Sequence, residues 1–265
     1  MRPVTALVLA GTRIGGDPLT RYAGVSHKAL IEVGGCTMIE RVVGALSAVP
    51  DVARIVVAIE QPEVLRGLAG LQAPACTKPL STMATEEGPS ATVGAALARE
   101  GVPLLVTTAD HPLLRPHWVQ EFLAACPASA DVTAALARRH LVEAAAPDTR
   151  RTWLRFADGD FSGCNLFLMA QPAAAGAVEL WREIEQERKN PLRMMRRLGW
   201  TVALRYRLGR LTLGAAAARL GALAGGARLA IVEMSDGSAA IDVDKPDDLD
   251  LVRRLIASAG PTARS

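Results

Sequence analysis

An apolar run near the start of the chain, residues 4–10, ends abruptly in the glycine-rich loop 11–18. The run has the length and composition of a buried strand. The loop contains Arg13, and Lys28 follows ten residues after its end. Glycine lets backbone N–H groups approach an anion, while arginine and lysine supply positive charge. The sequence therefore predicts a phosphate-binding loop directly after the first strand.

Short apolar runs alternate with amphipathic stretches along the rest of the chain, which is typical of a mostly parallel sheet flanked by helices. Strands are predicted at 4–10, 54–59, 102–108, 131–137, 228–234 and 240–243, with a β pair formed by 153–156 and 165–169. Helices are predicted at 37–48, 63–71, 90–99, 116–125, 173–187 and 246–258. Residues 138–151 are interpreted as a loop or insertion, and Ser90 as a helix cap. We expect one α/β domain over 1–258 with a flexible tail at 259–265.

The composition excludes several classes of protein. No stretch approaches the roughly 20 uninterrupted apolar residues of a membrane span. The first apolar run leads into a glycine loop rather than a small-residue cleavage site, so it is predicted to be a strand and not a signal peptide. The four cysteines are scattered and form no Cys-x-x-Cys pair. Reduced thiols in a cytoplasmic protein are the expectation.

A late segment, residues 188–228, carries ten basic residues and no Asp or Glu, whereas the remainder of the chain is acidic. Residues 188–227 are predicted to form a basic helical insertion, broken near Gly199 and Gly209. Three interpretations remain open. In the first, the insertion packs on the body and its arginines face solvent. In the second, it binds peripherally to the inner surface of an anionic membrane. In the third, it forms a homodimer interface. A nucleic-acid partner is not expected, because no nucleic-acid-binding module is present.

The second candidate site follows the strand at 102–108. Asp110 stands at the carboxyl end of that strand, the edge where open α/β sheets bind ligands. Its carboxylate suits magnesium, which binds through one or two carboxylates and substrate phosphates. A helix-capping aspartate is the alternative. His111 is either a base or, before a proline, a spacer.

Two further motifs place polar side chains late in the chain. Asp242 and Asp244 alternate on a predicted short strand, so both point the same way and suit a divalent ion, with helix capping as the alternative. Asn165 precedes an apolar strand, where its amide suits a sugar hydroxyl, a phosphate or a turn. Neither Walker A nor G-x-G-x-x-G is present, which argues against P-loop ATPases and Rossmann dehydrogenases.

The order of these features resembles the MobA-like nucleotidyltransferases. The matching series is the glycine loop, Lys28, Thr-Ala-Asp-His-Pro, Gly-Cys-Asn-Leu-Phe and Asp-x-Asp-Lys-Pro-x-Asp-Leu, over residues 1–187 and 228–258. The resemblance implies a three-layer α/β/α, GT-A-like (Rossmann-like) fold. It also implies magnesium-dependent transfer of a nucleoside monophosphate from a nucleoside triphosphate, CTP or GTP, to a phosphorylated acceptor, with release of pyrophosphate.

The resemblance also implies roles for individual residues. Arg13, Lys28 and Asp110 are the implied catalytic residues, Asp110 and Asp244 the metal ligands, and Asn165 the residue facing the acceptor. The implied nucleotide-binding residues are Leu9, Ala10, Gly11, Thr12, Arg13, Lys28, Ser90 and Thr92. The sequence leaves the choice between Asp242 and Asp244 open.

The glycine loop departs from the family pattern. The family reads Leu-Ala-Gly-Gly-x-Gly-x-Arg, whereas here Arg13 comes two residues after Gly11, and Arg21 is the alternative for its role. The long span 16–28 is a second departure and is interpreted as a flap over the nucleotide. Two other functions stay open. One is a glycosyltransferase of the same fold that uses a nucleotide sugar, and the other, which the altered loop keeps open, is a catalytically silent nucleotide-binding protein.

Overall fold

Eight strands form one mixed sheet in the computed structural model, which describes residues 2–12, 17–187 and 199–258. The described residues contain ten strands in all: β1 (Val4–Leu9), β2 (Glu32–Val33), β3 (Cys36–Thr37), β4 (Val52–Ala58), β5 (Leu80–Met83), β6 (Leu104–Thr108), β7 (Val132–Arg138), β8 (Leu154–Phe156), β9 (Gly159–Met169) and β10 (Leu229–Met234). The helices are α1 (Pro18–Ala23), α2 (Met38–Ser47), α3 (Pro89–Glu100), α4 (Pro116–Ala125), α5 (Arg139–Ala145), α6 (Ala174–Glu187), α7 (Trp200–Arg207), α8 (Leu213–Leu223) and α9 (Pro246–Ser258).

The strand order of the main sheet is β10-β7-β9-β6-β1-β4-β5, and β8 pairs with β9. The pairs β10–β7, β6–β1, β1–β4 and β4–β5 are parallel, whereas β9 runs antiparallel to both of its neighbours β6 and β7 and to β8. The small hairpin of β2 and β3 stands apart from this sheet. The predicted α/β class with a mixed, mostly parallel sheet is confirmed.

Helices cover both faces of the sheet because successive side chains of each strand point to opposite sides. In β1, Ala6 and Val8 pack in one cluster with α2 and α4, and Leu7 packs in another with α3 and α6. All three side chains are fully buried. The result is the three-layer α/β/α arrangement that the resemblance implies.

The register of the central strands sets the position of the site. Leu9 at the end of β1 pairs with Ala58 of β4 and with Thr108 of β6. Parallel strands that end level bring the residues after them to one edge of the sheet. Gly11, Glu60 and Asp110 each stand two residues beyond their strand, so all three lie at this carboxyl edge.

Local structure differs from the sequence predictions at several points. Residues 138–151 contain the helix α5 rather than only a loop, and the helix predicted at 63–71 is two 3₁₀ turns, Pro62–Leu65 and Ala69–Leu71. The strand predicted at 240–243 is wrong, because a 3₁₀ turn, Gly237–Ala240, leads into an extended segment outside the sheet. Strand β5 was not predicted.

The cap predicted for α3 is also wrong. The helix is capped at Gly88 and begins with Pro89, so Ser90 lies inside its first turn. Proline fits this position because its missing N–H has no partner in a first helical turn.

The predicted basic insertion is helical where the structure describes it. Helices α7 and α8 occupy much of 199–227, while residues 188–198 and the tail 259–265 lie outside the described residues. Leu220 and Leu223 of α8 pack beside Leu180 of α6, so α8 belongs to the body. Among the described helices, none combines the length and the apolar character needed to cross a bilayer.

Candidate active site

A lysine joins two carboxylates at the carboxyl edge of the sheet. Lys28 Nζ donates to Asp110 Oδ2 at 2.6 Å and to Asp244 Oδ1 at 3.0 Å. Lys28 begins the 3₁₀ turn Lys28–Leu30, Asp110 follows β6, and Asp244 precedes α9. The structure therefore brings together three of the residues named from the sequence, although they come from distant parts of the chain.

An apolar cluster beside the sheet holds these three segments together. Leu19, Ile31, Val243 and Leu249 pack within it, each at most 1% exposed. Val243 N also donates to the backbone oxygen of Asp110 at 2.9 Å. Because the cluster joins the segments around Lys28 and Asp244, hydrophobic burial positions the charged groups.

The electrostatics of the three residues favour a cationic lysine. Burial lowers the pKa of Lys28, but the Asp110 and Asp244 carboxylates outweigh it and raise that pKa above its ordinary value. Lys28 therefore stays charged at neutral pH, and its ammonium offsets the repulsion between the two acids.

The donor set also fits a magnesium ion. Asp110 Oδ1 is buried and has no hydrogen-bond partner among the described residues. No group of three or more His, Cys, Asp or Glu suited to a metal occurs in that part of the chain. Magnesium binds through one or two carboxylates and completes its shell with water and substrate phosphates, so a pair of carboxylates matches its preference.

Asp242 lies in a second, more enclosed group. Its carboxylate pairs with Arg151 through one oxygen and accepts from Asn165 Nδ2 at 2.6 Å through the other. Burial raises the pKa of Asp242, and the nearby Arg151 opposes this effect. Since both oxygens of Asp242 are engaged, the arrangement favours Asp244 over Asp242 as the partner of Asp110.

Arg151 is a site residue that sequence reasoning missed, because it closes a stretch interpreted as a loop or insertion. Its side chain is only 11% exposed, and Nε also donates to Ser162 Oγ at 3.3 Å. Asn165 takes a left-handed backbone conformation with φ of 50°. Asparagine tolerates this conformation better than most residues, so the backbone itself favours asparagine at this position.

The glycine loop begins where the prediction placed it. Leu9 ends β1, Ala10 N donates to Ala58 O, and Thr12 N donates to Glu60 Oε1 at 2.7 Å. A Cβ on Gly11 would lie 3.0 Å from Thr85 Cγ2 and 3.1 Å from Glu60 Oε1, so the close approach favours glycine. Glu60 was not predicted, although its position two residues after a strand is a recognisable signal.

The next part of the loop is described only from residue 17 onward. Arg13 lies outside the described residues. Asp17 caps α1, whose Leu19 is fully buried, so part of the expected flap is a packed helix. Arg21, the alternative to Arg13, lies exposed in the last turn of α1.

The side chains of Ser90 and Thr92 are engaged inside the protein. Ser90 Oγ donates to Glu185 Oε2 at 2.5 Å, and Thr92 Oγ1 donates to Gly88 O at 2.9 Å. Thr92 Oγ1 also accepts from the backbone N–H of Glu86. Both side chains therefore shape the turn that starts α3, and their contacts with a nucleotide stay a prediction.

His111 does not have the environment of a general base. The ring is 1% exposed and stacks on Trp118 with 6.2 Å between centroids. Burial lowers the pKa of His111 to about 4, although the adjacent Asp110 opposes the shift. A neutral, enclosed imidazole fits a packing role.

Comparison with protein families matches residues 6–199 to the MobA-like NTP transferase domain. The chain belongs to the MobA-like NTP transferase family. It is therefore a nucleotidyltransferase of the MobA type, as the order of its motifs predicts. Comparison with curated proteins finds no significant match.

Solved structures agree with this family membership. A hypothetical transferase from Thermus thermophilus is 32% identical, with 94% of this chain and 100% of that chain covered and a TM-score of 0.79. A CMP:2-keto-3-deoxy-manno-octonic acid synthetase complexed with CTP is 18% identical, with 98% and 100% covered and a TM-score of 0.57.

A 4-diphosphocytidyl-2C-methyl-D-erythritol synthase from Anaerococcus prevotii is 8% identical, with 97% and 99% covered and a TM-score of 0.60. At these low identities, the likeness to the two synthases shows a shared fold. This MobA-like transferase thus has a nucleotidyltransferase fold over nearly its whole length.

Proposed function

We propose that this MobA-like transferase moves a nucleoside monophosphate from a nucleoside triphosphate to a phosphorylated small molecule and releases pyrophosphate. The observation that carries the proposal is the contact of Lys28 with both Asp110 and Asp244 at the carboxyl edge of the sheet. CTP and GTP are the donors to test first.

We also propose that residues 1–258 work as one domain. Strand β10 and Asp244 both lie beyond the residues that the family matches, yet β10 joins the same sheet and Asp244 joins the same site.

In the proposed reaction, an oxygen of the acceptor phosphate attacks the α-phosphorus of the triphosphate. The bond from that phosphorus to the bridging oxygen breaks, and pyrophosphate leaves with the electron pair. The chain contributes position and charge rather than covalent chemistry. Backbone N–H groups of the glycine loop and the cations of Arg13 and Lys28 would hold the triphosphate.

Asp110 and Asp244 would hold the magnesium ion. When bound, this ion neutralises phosphate charge and polarises the phosphoryl group. The unsatisfied, buried Asp110 Oδ1 supports this assignment. Lys28 would then turn from the carboxylates toward the phosphates, which its long flexible side chain permits.

Asn165 and Arg151 define the proposed acceptor side. Both bond to Asp242, which fixes the amide and the guanidinium in place. A guanidinium pairs well with a phosphate through parallel hydrogen bonds. This chemistry supports a phosphorylated acceptor.

A pyrophosphate-release screen tests the proposal. The four nucleoside triphosphates are combined with phosphorylated sugars, polyols and cofactors in excess magnesium. Asp110→Asn and Asp244→Asn are each expected to raise the barrier by about 3–5 kcal/mol, if both hold the essential ion. Asp247→Asn is the matched control, because Asp247 is exposed and lies only three residues from Asp244.

The products separate the alternatives. Pyrophosphate release supports the proposal, whereas release of a nucleoside diphosphate from a nucleotide sugar identifies a glycosyltransferase. Nucleotide binding without turnover of any acceptor identifies a silent relative. Activity of Asp110→Asn within tenfold of wild type in excess magnesium would contradict the metal assignment.

A further inference from the structure

Helix α7 exposes large apolar side chains to solvent. Trp200, Leu204 and Leu208 are 58%, 57% and 56% exposed, and none of the residues of α7 is buried. The described residues contain six exposed large hydrophobic side chains, and four of them lie between 200 and 208. Single exposed apolar residues are ordinary, but a group of this kind marks an interaction surface.

The exposed residues form one stripe along the helix. Trp200, Leu204 and Leu208 are spaced by four residues, which places them within about 80° of each other on a helix of 3.6 residues per turn. Arg207 lies about 20° before this stripe, and Arg205 about 60° beyond it. Arginines therefore border the apolar stripe on both sides.

The opposite side of α7 fastens the helix to the body. Tyr206 contacts Phe156 of β8 edge-to-face at 5.8 Å between ring centroids. Just after the helix, Ala157 N donates to Leu211 O at 2.8 Å, and Leu213 N donates to Asp158 Oδ1 at 3.0 Å. Tyr206 is itself 42% exposed, so α7 lies on the surface of the body, and the stripe lies on the side of the helix away from Phe156.

The charged residues of the segment that carries the stripe are all arginines. Residues 199–228 include Arg205, Arg207, Arg210, Arg219 and Arg228 and no Asp or Glu. Of the acids on the neighbouring β8–β9 turn, Asp158 accepts from Leu213 N and Asp160 pairs with Arg139. An anionic surface is the complement of this patch.

We propose that α7 is an interfacial helix that docks this transferase on an anionic lipid surface. Trp200, Leu204 and Leu208 enter the headgroup region, while Arg205, Arg207 and Arg210 contact lipid phosphates. Amphipathic helices with Trp and Leu on one side and flanking arginines bind membranes in this way. The docking requires no bound nucleotide.

Vesicle flotation with the full chain tests the proposal. We expect binding to vesicles of phosphatidylcholine with about one third phosphatidylglycerol at low salt, weaker binding at high salt and none to phosphatidylcholine alone. The double variant Leu204→Ser, Leu208→Ser is expected to lose binding. Tyr22→Ser is its control, because Tyr22 is an equally exposed apolar residue, 54% exposed, on a different helix.

A charge-matched pair of variants tests the arginines. The triple variant Arg205→Gln, Arg207→Gln, Arg210→Gln is expected to weaken partitioning about a hundredfold, at roughly 1 kcal/mol per arginine. The control triple changes the exposed Arg2, Arg66 and Arg115 to Gln, removes the same net charge and should keep most of the binding. Trp200→Phe should bind vesicles but lose the blue shift of tryptophan fluorescence.

Three results would overturn the proposal. These are no binding to anionic vesicles at low salt, equal losses in the two arginine triples, and wild-type binding by the double leucine variant. A dimer in light scattering that the leucine variant abolishes, without vesicle binding, would assign the stripe to a second copy of the chain instead. Circular dichroism and melting of each variant confirm that it is folded.

Discussion

Lys28 controls the charge balance of the candidate site at the scale of single residues. Its side chain is 15% exposed and contacts Asp110, 20% exposed, and Asp244, 54% exposed. The two carboxylates repel each other, so they stay close together only while a cation lies between them. The same geometry suits a lysine in one state and a divalent ion in another.

Replacing Lys28 by Met should therefore destabilise the protein and abolish most of its activity. We expect the free energy of unfolding to fall by about 2 kcal/mol, less than for a fully buried pair because Asp244 is half exposed. Turnover should fall at least about a hundredfold. Millimolar magnesium should raise the melting temperature of Lys28→Met more than that of wild type, since the ion replaces the lost cation.

Thermal melting and pyrophosphate release measure these effects. Lys245→Met is the matched control, because Lys245 directly follows Asp244 and its side chain donates to the backbone oxygen of Arg150. A Lys28→Met variant with the stability and turnover of wild type would refute the role of this lysine.

The buried His111 leads to a separate prediction about how stability depends on pH. Because its pKa is lowered to about 4 in the folded state, the unfolded chain binds more protons between pH 4 and its ordinary pKa of 6.5. The neutral His111 ring therefore contributes fully to the free energy of unfolding at pH 7, and this contribution is lost as the pH falls through this window. Between pH 7 and pH 5, the loss from this group is about 2 kcal/mol.

In His111→Phe, the fall in the free energy of unfolding between pH 7 and pH 5 should be smaller by that amount. The phenylalanine ring can still stack on Trp118. Urea denaturation at pH 7 and pH 5 in the presence of a chelator measures the difference. His140→Phe is the control, because His140 is exposed. Equal pH slopes for wild type and His111→Phe would exclude the predicted linkage.

At the scale of elements, one helix caps another. The N-cap residue of α3 is Gly88, which has no side chain to bond the first N–H groups. Glu185 of α6 supplies the missing acceptor, since its Oε2 accepts from Ser90 N at 3.3 Å and from Ser90 Oγ at 2.5 Å. A carboxylate at a helix N-terminus is also favoured by the helix dipole.

Glu185→Ala should therefore lower the free energy of unfolding by about 1 kcal/mol, the usual cost of a lost N-cap. Chemical denaturation measures the change. Glu179→Ala on the same helix serves as the comparison, because the Glu179 side chain is 61% exposed. If the two substitutions destabilise the protein equally, Glu185 is not the cap of α3.

Elements with a strong local signal were predictable, and those that depend on partners were not. Helix α2 carries its own start signal, a capping box in which Thr37 and Glu40 bond each other's backbone N–H groups. The segment 240–243 alternates like a strand, yet it finds no neighbouring strand in the described sheet. Val243 instead bonds the backbone of Asp110, a contact that no local pattern encodes.

At the scale of the whole molecule, a hydrophobic cluster couples stability to the site. Leu249 of α9 is fully buried in the cluster that also contains Leu19, Ile31 and Val243. The two segments that carry Lys28 and Asp244 meet through this packing and through the ion pair. Loosening the cluster should therefore disturb the charged groups from a distance.

Leu249→Ala should cost about 3 kcal/mol of stability and also reduce turnover about tenfold, because Asp244 loses its fixed position. Leu46→Ala in α2 is the matched control, as a fully buried leucine in a different cluster. Leu46→Ala should lower the free energy of unfolding by a similar amount. Its turnover should stay near that of wild type at a temperature where both variants are folded. Parallel losses of turnover in the two variants would show that the cluster has no special link to the site.

Local sequence patterns were enough to predict the α/β class, the glycine loop after the first strand, and the acids at 110, 242 and 244. These follow from local patterns, because burial periodicity and strand ends can be read within a few residues. The contacts of Lys28 with Asp110 and Asp244, and those of Arg151 and Asn165 with Asp242, became visible with the folded chain. Lys28 is separated by 82 residues from Asp110 and by 216 from Asp244, and such contacts depend on the register of the sheet and the packing beside it.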